Sequence, residues 1–159
     1  MVLTRVQNVA KLVSTELTLR DVVTFEQSRF GMQRKVLLVV TGKVLAGIDL
    51  KKDVKVRIDD DARRITIELP RAEILAIEVL NSRTYDETSA IFYRFQPEDR
   101  DRIQALTRAQ LRQAGEQSGL LPQADRSARQ LLESLLAQDG YSVVVTTRTD
   151  VVPAPDARR

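Results

Sequence analysis

The chain has 159 residues, with 25 basic and 22 acidic side chains for a formal net charge of +3, and contains neither cysteine nor histidine. The two missing residue types remove thiolate nucleophiles, Ser-His and Cys-His pairs and the usual zinc, haem and iron–sulfur ligand sets. The charges are mixed along the chain and aromatics make up only 4%, unlike the basic face or stacking platform of a nucleic-acid binder, and no apolar run of about 18 residues spans a bilayer.

Val2, Val6, Val9 and Val13, with Leu12 beside them, recur at helical spacing and predict a short N-terminal helix over residues 1–14. It reads as a helix docked on the domain's own core or, alternatively, as a juxtamembrane or oligomerising segment. Arg5, Asn8 and Lys11 interrupt any secretory signal in this stretch. From Glu16 to Phe25, Leu17, Leu19, Val23 and Phe25 alternate with polar residues, as in a half-buried strand. Lys35 to Ile48 is apolar on both faces, with Val36, Leu38, Val40, Val44, Ala46 and Ile48 on one and Leu37, Val39 and Leu45 on the other. That pattern predicts a central strand, bent or bulged at Gly42.

Val54, Val56 and Ile58 face the same way as Ile65, Ile67 and Leu69 across a turn of Asp59-Asp60-Asp61-Ala62-Arg63, which predicts a hairpin buried on one face. Pro70 ends it, Ile74 to Leu80 is a further apolar run, and Asn81 to Ser89 reads as a loop. Gln96-Pro97-Glu98-Asp99 opens a helix, with proline at the first position and acids at the positive dipole end. Its apolar residues are Ile103, Leu106, Ala109, Leu111 and Ala114, and Gly115 and Gly119 mark its end. A second helix from near Pro122 carries Ala124, Ala128, Leu131, Leu132, Leu135 and Leu136 on one face and closes at Gly140. Tyr141 to Thr147 returns as a strand and residues 150–159, with Pro153 and Pro155, form a tail. The expected fold is α+β, with one domain over 15–149. It is a twisted, mostly antiparallel sheet of about five or six strands, with the helix pair packed on it.

No catalytic, cofactor-binding or metal-ligating residue is assigned. Asp59, Asp60 and Asp61 lack the glycine and the distal carboxylate of a calcium loop and fit turn chemistry instead. Gly42-Lys43 and Gly47 lack the strand–loop–helix setting and the Ser or Thr of a phosphate loop. Tyr85-Asp86-Glu87 and Glu98-Asp99 supply paired acids, but adjacency in sequence does not make carboxylates face each other.

Thr41-Gly42-Lys43-Val44, Ala46-Gly47-Ile48-Asp49-Leu50, Ile67-Glu68-Leu69-Pro70 with Ile74-Leu75, and Pro97-Glu98-Asp99-Arg100 together resemble the bacterial family called domain of unknown function 4230. Ala114, Gly119, Ala124, Ala128, the leucine pairs 131–132 and 135–136, and Gly140-Tyr141 before Val143 and Val145 extend the resemblance over about residues 9 to 147. The resemblance implies a small protein with a membrane-spanning segment ahead of this domain and no established activity. That segment is missing from this sequence, so the chain as given is expected to be soluble and its full-length form anchored to the bacterial cytoplasmic membrane.

The leading expectation is a non-enzymatic interaction or scaffold domain with a protein partner or self-association, no cofactor, no metal and no nucleic acid. The alternative is a binding module for an apolar or lipid-like ligand, because an alanine-rich helix facing the sheet leaves room for one. A second alternative is a carboxylate-based enzyme. A solid core beside an apolar surface patch favours the first, an enclosed apolar pocket the second, and convergent buried carboxylates the third.

Overall fold

Long runs of strand-forming residues, alternating from Glu16 to Phe25 and apolar on both faces from Lys35 to Ile48, give this chain strands much longer than average. In a computed structural model, which describes residues 10–29, 32–85, 97–137 and 140–148, β1 spans Lys11–Arg29 and β2 spans Met32–Asp49. They pair antiparallel, with one register shift between Val13 and Thr15 and none from Thr15 to Arg29. β3 (Lys55–Asp59) and β4 (Arg64–Leu69) form the expected hairpin, and β5 (Glu73–Tyr85) returns beside β2. Then follow α1 (Pro97–Gln117), α2 (Leu120–Leu136) and β6 (Ser142–Thr147).

The α+β class holds, but the single sheet does not: the strands form two three-stranded sheets, ordered β1-β2-β5 and β3-β4-β6. Two breaks in the main chain cause the split. After β2 the chain turns away through Asp53, whose φ of 38° lies in the left-handed region. After β4, Pro70 has no N–H to extend the ladder, and the Ala72 N–H leaves it too, donating to Asp125 Oδ1 at 2.8 Å. β6 joins parallel to β4, with Ile67 opposite Val145. Such pairing needs a long crossover, and here β5, α1 and α2 provide it.

The N-terminal helix is a further correction. Lys11, Leu12 and Val13 belong to β1, opposite Asp49, Ile48 and Gly47, while residues 1–9 lie outside the described residues. Valine is a poor helix former and a good strand former, so a ladder with β2 outweighs a weak helical stripe. The loop expected from Asn81 starts later, because β5 continues to Tyr85 with Asn81, Ser82 and Arg83 opposite Thr41, Val40 and Val39. Main-chain pairing there requires no apolar side chain. Residues 86–89 and the tail at 150–159 lie outside the described residues.

β2 is the central strand that its two apolar faces predict. Val36, Leu38, Val40, Val44, Ala46 and Ile48 are buried under the helices, each contributing on the order of 1.5–3 kcal/mol when a large aliphatic side chain is fully enclosed. A register shift occurs at Gly42, as expected. Both sheets share one apolar cluster, in which Leu69 and Val145 join Val44, Leu111, Ala124 and Ala128. Gly119, with φ 78°, makes the turn between the helices, and α2 begins at Leu120, slightly before Pro122. Gly115 is not a helix end. It lies inside α1, where an added Cβ would stand 3.0 Å from Val44 Cγ1, so the missing side chain lets α1 settle on β2.

Candidate interaction surface

In the hairpin, Val56 lies opposite Ile67 and Ile58 opposite Ile65, so the expected common face exists. Its burial does not extend across the sheet. Ile67 is 6% exposed and Val145 4%, whereas Val56 and Ile58 at the outer strand are 58% and 60% exposed. The gradient has a simple cause: α2 packs against β6, which lies on the far side of β4 from β3, so burial falls towards the outer strand.

The helix shows the same fall-off along its length. Leu120, Ala124 and Ala128 form its buried stripe, and Leu131 and Leu135 continue it at helical spacing yet are exposed, Leu135 by 55%. Leu136 is exposed beside them. The elements that carry the two uncovered sets are tied together at the hairpin turn. Soon after α2, the Tyr141 hydroxyl donates to Asp60 Oδ1 at 3.0 Å and the Ser142 N–H to the Arg63 carbonyl at 2.8 Å, tying the helix exit to the hairpin turn beside Ile58. Val56, Ile58, Leu131, Leu135 and Leu136 are thus exposed aliphatic side chains on two linked elements. The helical spacing marked the leucines as one face, but nothing local to them told how far the sheet beneath would reach.

The acids noted in the sequence are dispersed and put to structural use. Asp59 Oδ1 accepts from the Ala62 N–H at 2.9 Å, which is turn chemistry, and Asp60 holds Tyr141. Glu98 is exposed while its neighbour Asp99 is buried, so the two do not converge. Asp86 and Glu87 lie outside the described residues. Gly42 and Gly47 are strand residues packed against Leu111 and the Leu12 carbonyl, far from a phosphate-binding turn. The alanines of α2 leave no room of their own: they let the helix come close enough for Ser14 Oγ to donate to the Ala124 carbonyl at 2.8 Å. Between α1 and β1 lies an open groove of about 510 Å³, lined by Phe25, Glu26, Arg102, Ala105, Leu106 and Ala109.

An ion cluster braces the joint between the sheets. Arg148, just beyond β6, donates from Nε to Glu68 Oε1 at 3.0 Å and from Nη1 to Asp53 Oδ2 at 3.3 Å, while its N–H bonds the Leu69 carbonyl at 2.8 Å. The Arg148 hydrogen bond, followed by the Lys55 charge, holds the Glu68 carboxyl below its ordinary value. Arg148 is raised in turn, first by Glu68 and then by Asp53. Lys52, clasped by Glu73 at 2.6 Å, is raised chiefly by that hydrogen bond. All of these side chains are solvated, and they read as bracing rather than chemistry.

A family model described as "Protein of unknown function (DUF4230)" matches residues 4–146. No curated protein and no solved structure matches.

Proposed function

The chain belongs to the DUF4230 family of proteins of unknown function, which covers nearly all of it, and on that premise we propose that it is a non-enzymatic interaction or scaffold domain of a membrane-tethered bacterial protein. One observation carries the interaction part: the exposed aliphatic side chains Val56, Ile58, Leu131, Leu135 and Leu136 lie on β3 and α2, two elements tied together at the hairpin turn. Exposed aliphatic side chains on two linked elements of a small domain are better explained by a partner that covers them than by solvent. The close seating of α2 on β1 and of α1 on Gly42 weighs against an enclosed ligand cavity at those two contacts, and the groove between α1 and β1 is open rather than enclosed. The structural roles of Asp59 and Asp60 weigh against acid–base chemistry at that turn. The tether part rests on the family resemblance, since no helix among the described residues is long and apolar enough to cross a membrane.

Photocrosslinking in the host tests this reading. A photoreactive residue at Leu135 should yield one discrete cross-linked protein, and one at exposed Arg112 should not. Combining Ile58→Lys with Leu135→Lys should remove a cross-link formed from Leu131, with the melting temperature shifting by less than about 4 °C. No product from Leu135, or a melting loss as large as that of a core substitution, would reject the proposal.

A further inference from the structure

Among the described residues each three-stranded sheet leaves two edges, and three of the four are blunted by the chain itself. β5 is interrupted by register shifts at Thr41/Gly42 and Leu45/Ala46. β3 is short and wholly exposed and carries Lys55 and Arg57. At β6, Glu133 Oε1 accepts the Val145 N–H at 3.3 Å. Bulges, short charged strands and edge capping are the usual protections against unwanted strand pairing.

Among the described residues, β1 is interrupted or capped only at the two ends of one stretch, within which its charges, Glu16 and Arg20, are of opposite sign. A register shift between Val13 and Thr15 closes one end. At the other, the Val22 N–H is held by Asp21 Oδ1 at 2.8 Å, and Gln110 Nε2 fixes Asp21 Oδ2 at 3.1 Å. The Val22 N–H thus faces the open side rather than β2. Ladder residues alternate, so in the same unbroken register Glu16, Thr18 and Arg20 also turn their N–H and C=O groups outward. Among the described residues no strand pairs with them there. The stretch between the two closures, Thr15 to Asp21, is centred on Thr18.

We propose that this stretch of β1 pairs antiparallel with the same stretch of a second copy of the chain, about a two-fold axis at Thr18, joining two sheets into one. The charge pattern is self-complementary about that centre. Pairing Thr18 with the partner's Thr18 sets Glu16 opposite the partner's Arg20 and Arg20 opposite the partner's Glu16, on the face away from the helices. Centring the pair on Glu16 or Arg20 would set like charges against each other. On the helix side, Leu17 comes opposite the partner's Leu19, and both are partly buried residues at the margin of the core. The outward amides of Glu16, Thr18 and Arg20 then gain partners. This inference uses a different face from the exposed aliphatic side chains of β3 and α2 and stands independently of them.

A ladder this short buries less than a standard interface, so the dimer is of modest affinity and is read from a concentration series. Sedimentation of the full 159-residue chain should show a monomer–dimer equilibrium. Glu16→Arg or Arg20→Glu alone should weaken it about tenfold, because attraction becomes repulsion at both symmetric contacts. The double variant E16R/R20E should restore it. Thr18→Pro, at an outward-facing amide where an edge strand tolerates proline, should abolish dimerisation while circular dichroism stays that of the parent. A monomer at every concentration overturns the proposal. So does association that ignores the single charge reversals or that the double variant fails to recover.

Discussion

At the residue scale, small side chains set how closely the elements meet. A Cβ at Gly47 would run into the Leu12 carbonyl oxygen, a main-chain atom fixed in the β1–β2 ladder, whereas one at Gly42 would press on the methyl groups of Leu111. A backbone atom cannot rotate away and a leucine can shift in part. Gly42→Ala should therefore cost about 1–3 kcal/mol, and Gly47→Ala should lie at or above the top of that range, in urea melts of the two variants. The Glu68–Arg148 pair gives a pH prediction. Glu68 is lowered from an ordinary value of 4.5 in the folded chain, so its contribution is complete above that pH and is lost as pH falls through the lower folded value. Arg148→Met should lower the melting temperature at neutral pH and flatten its decline below about pH 4.5. Equal acid sensitivity of parent and variant would assign the decline to other carboxylates.

At the element scale, the hairpin separates pattern from burial. Ile67 and Val56 alternate alike in the sequence and face each other across the ladder, yet only Ile67 is buried. Ile67→Ala should cost about 2–4 kcal/mol, and Val56→Thr, which keeps a β-branched side chain on an exposed edge, should stay within about 0.5 kcal/mol. Similar losses for the two in chemical denaturation would place β3 inside the core. The strands β2 and β6, the hairpin and both helices were legible because their periodicities run uninterrupted between turn residues such as Pro70, Gly119 and Gly140. The helix expected at the N-terminus gives way over Leu12 and Val13 because these residues equally suit a strand whose partner, Ile48 and Gly47 of β2, is distant in sequence.

At the scale of the whole molecule, the proposed tether makes a prediction about the natural protein. Its reading frame should carry an apolar segment of about 20 residues ahead of this domain, and fractionation should place the full-length product with the membranes. A product that remains entirely in the soluble fraction would remove the tether and leave the interaction surface to be judged by cross-linking. If the tether and the β1 pairing both hold, chains confined to a membrane meet at raised effective concentration, so an edge ladder of modest affinity suffices there.

Local chemistry in the sequence determined the α+β class, the central place of β2, the hairpin turn built on Asp59 and the absence of cysteine and histidine chemistry. Each of these depends on periodicity, turn residues or composition, which are properties of short segments. The tertiary structure alone decided that the strands divide into two sheets, that β6 runs parallel to β4, that Val56 and Ile58 stay exposed opposite partly or fully buried partners, and that no strand among the described residues pairs with β1 on the side facing away from β2. The physical reason is that alternation records which face of a strand is apolar and carries no record of its neighbour. Pairing and coverage are settled by contacts between residues far apart in the chain.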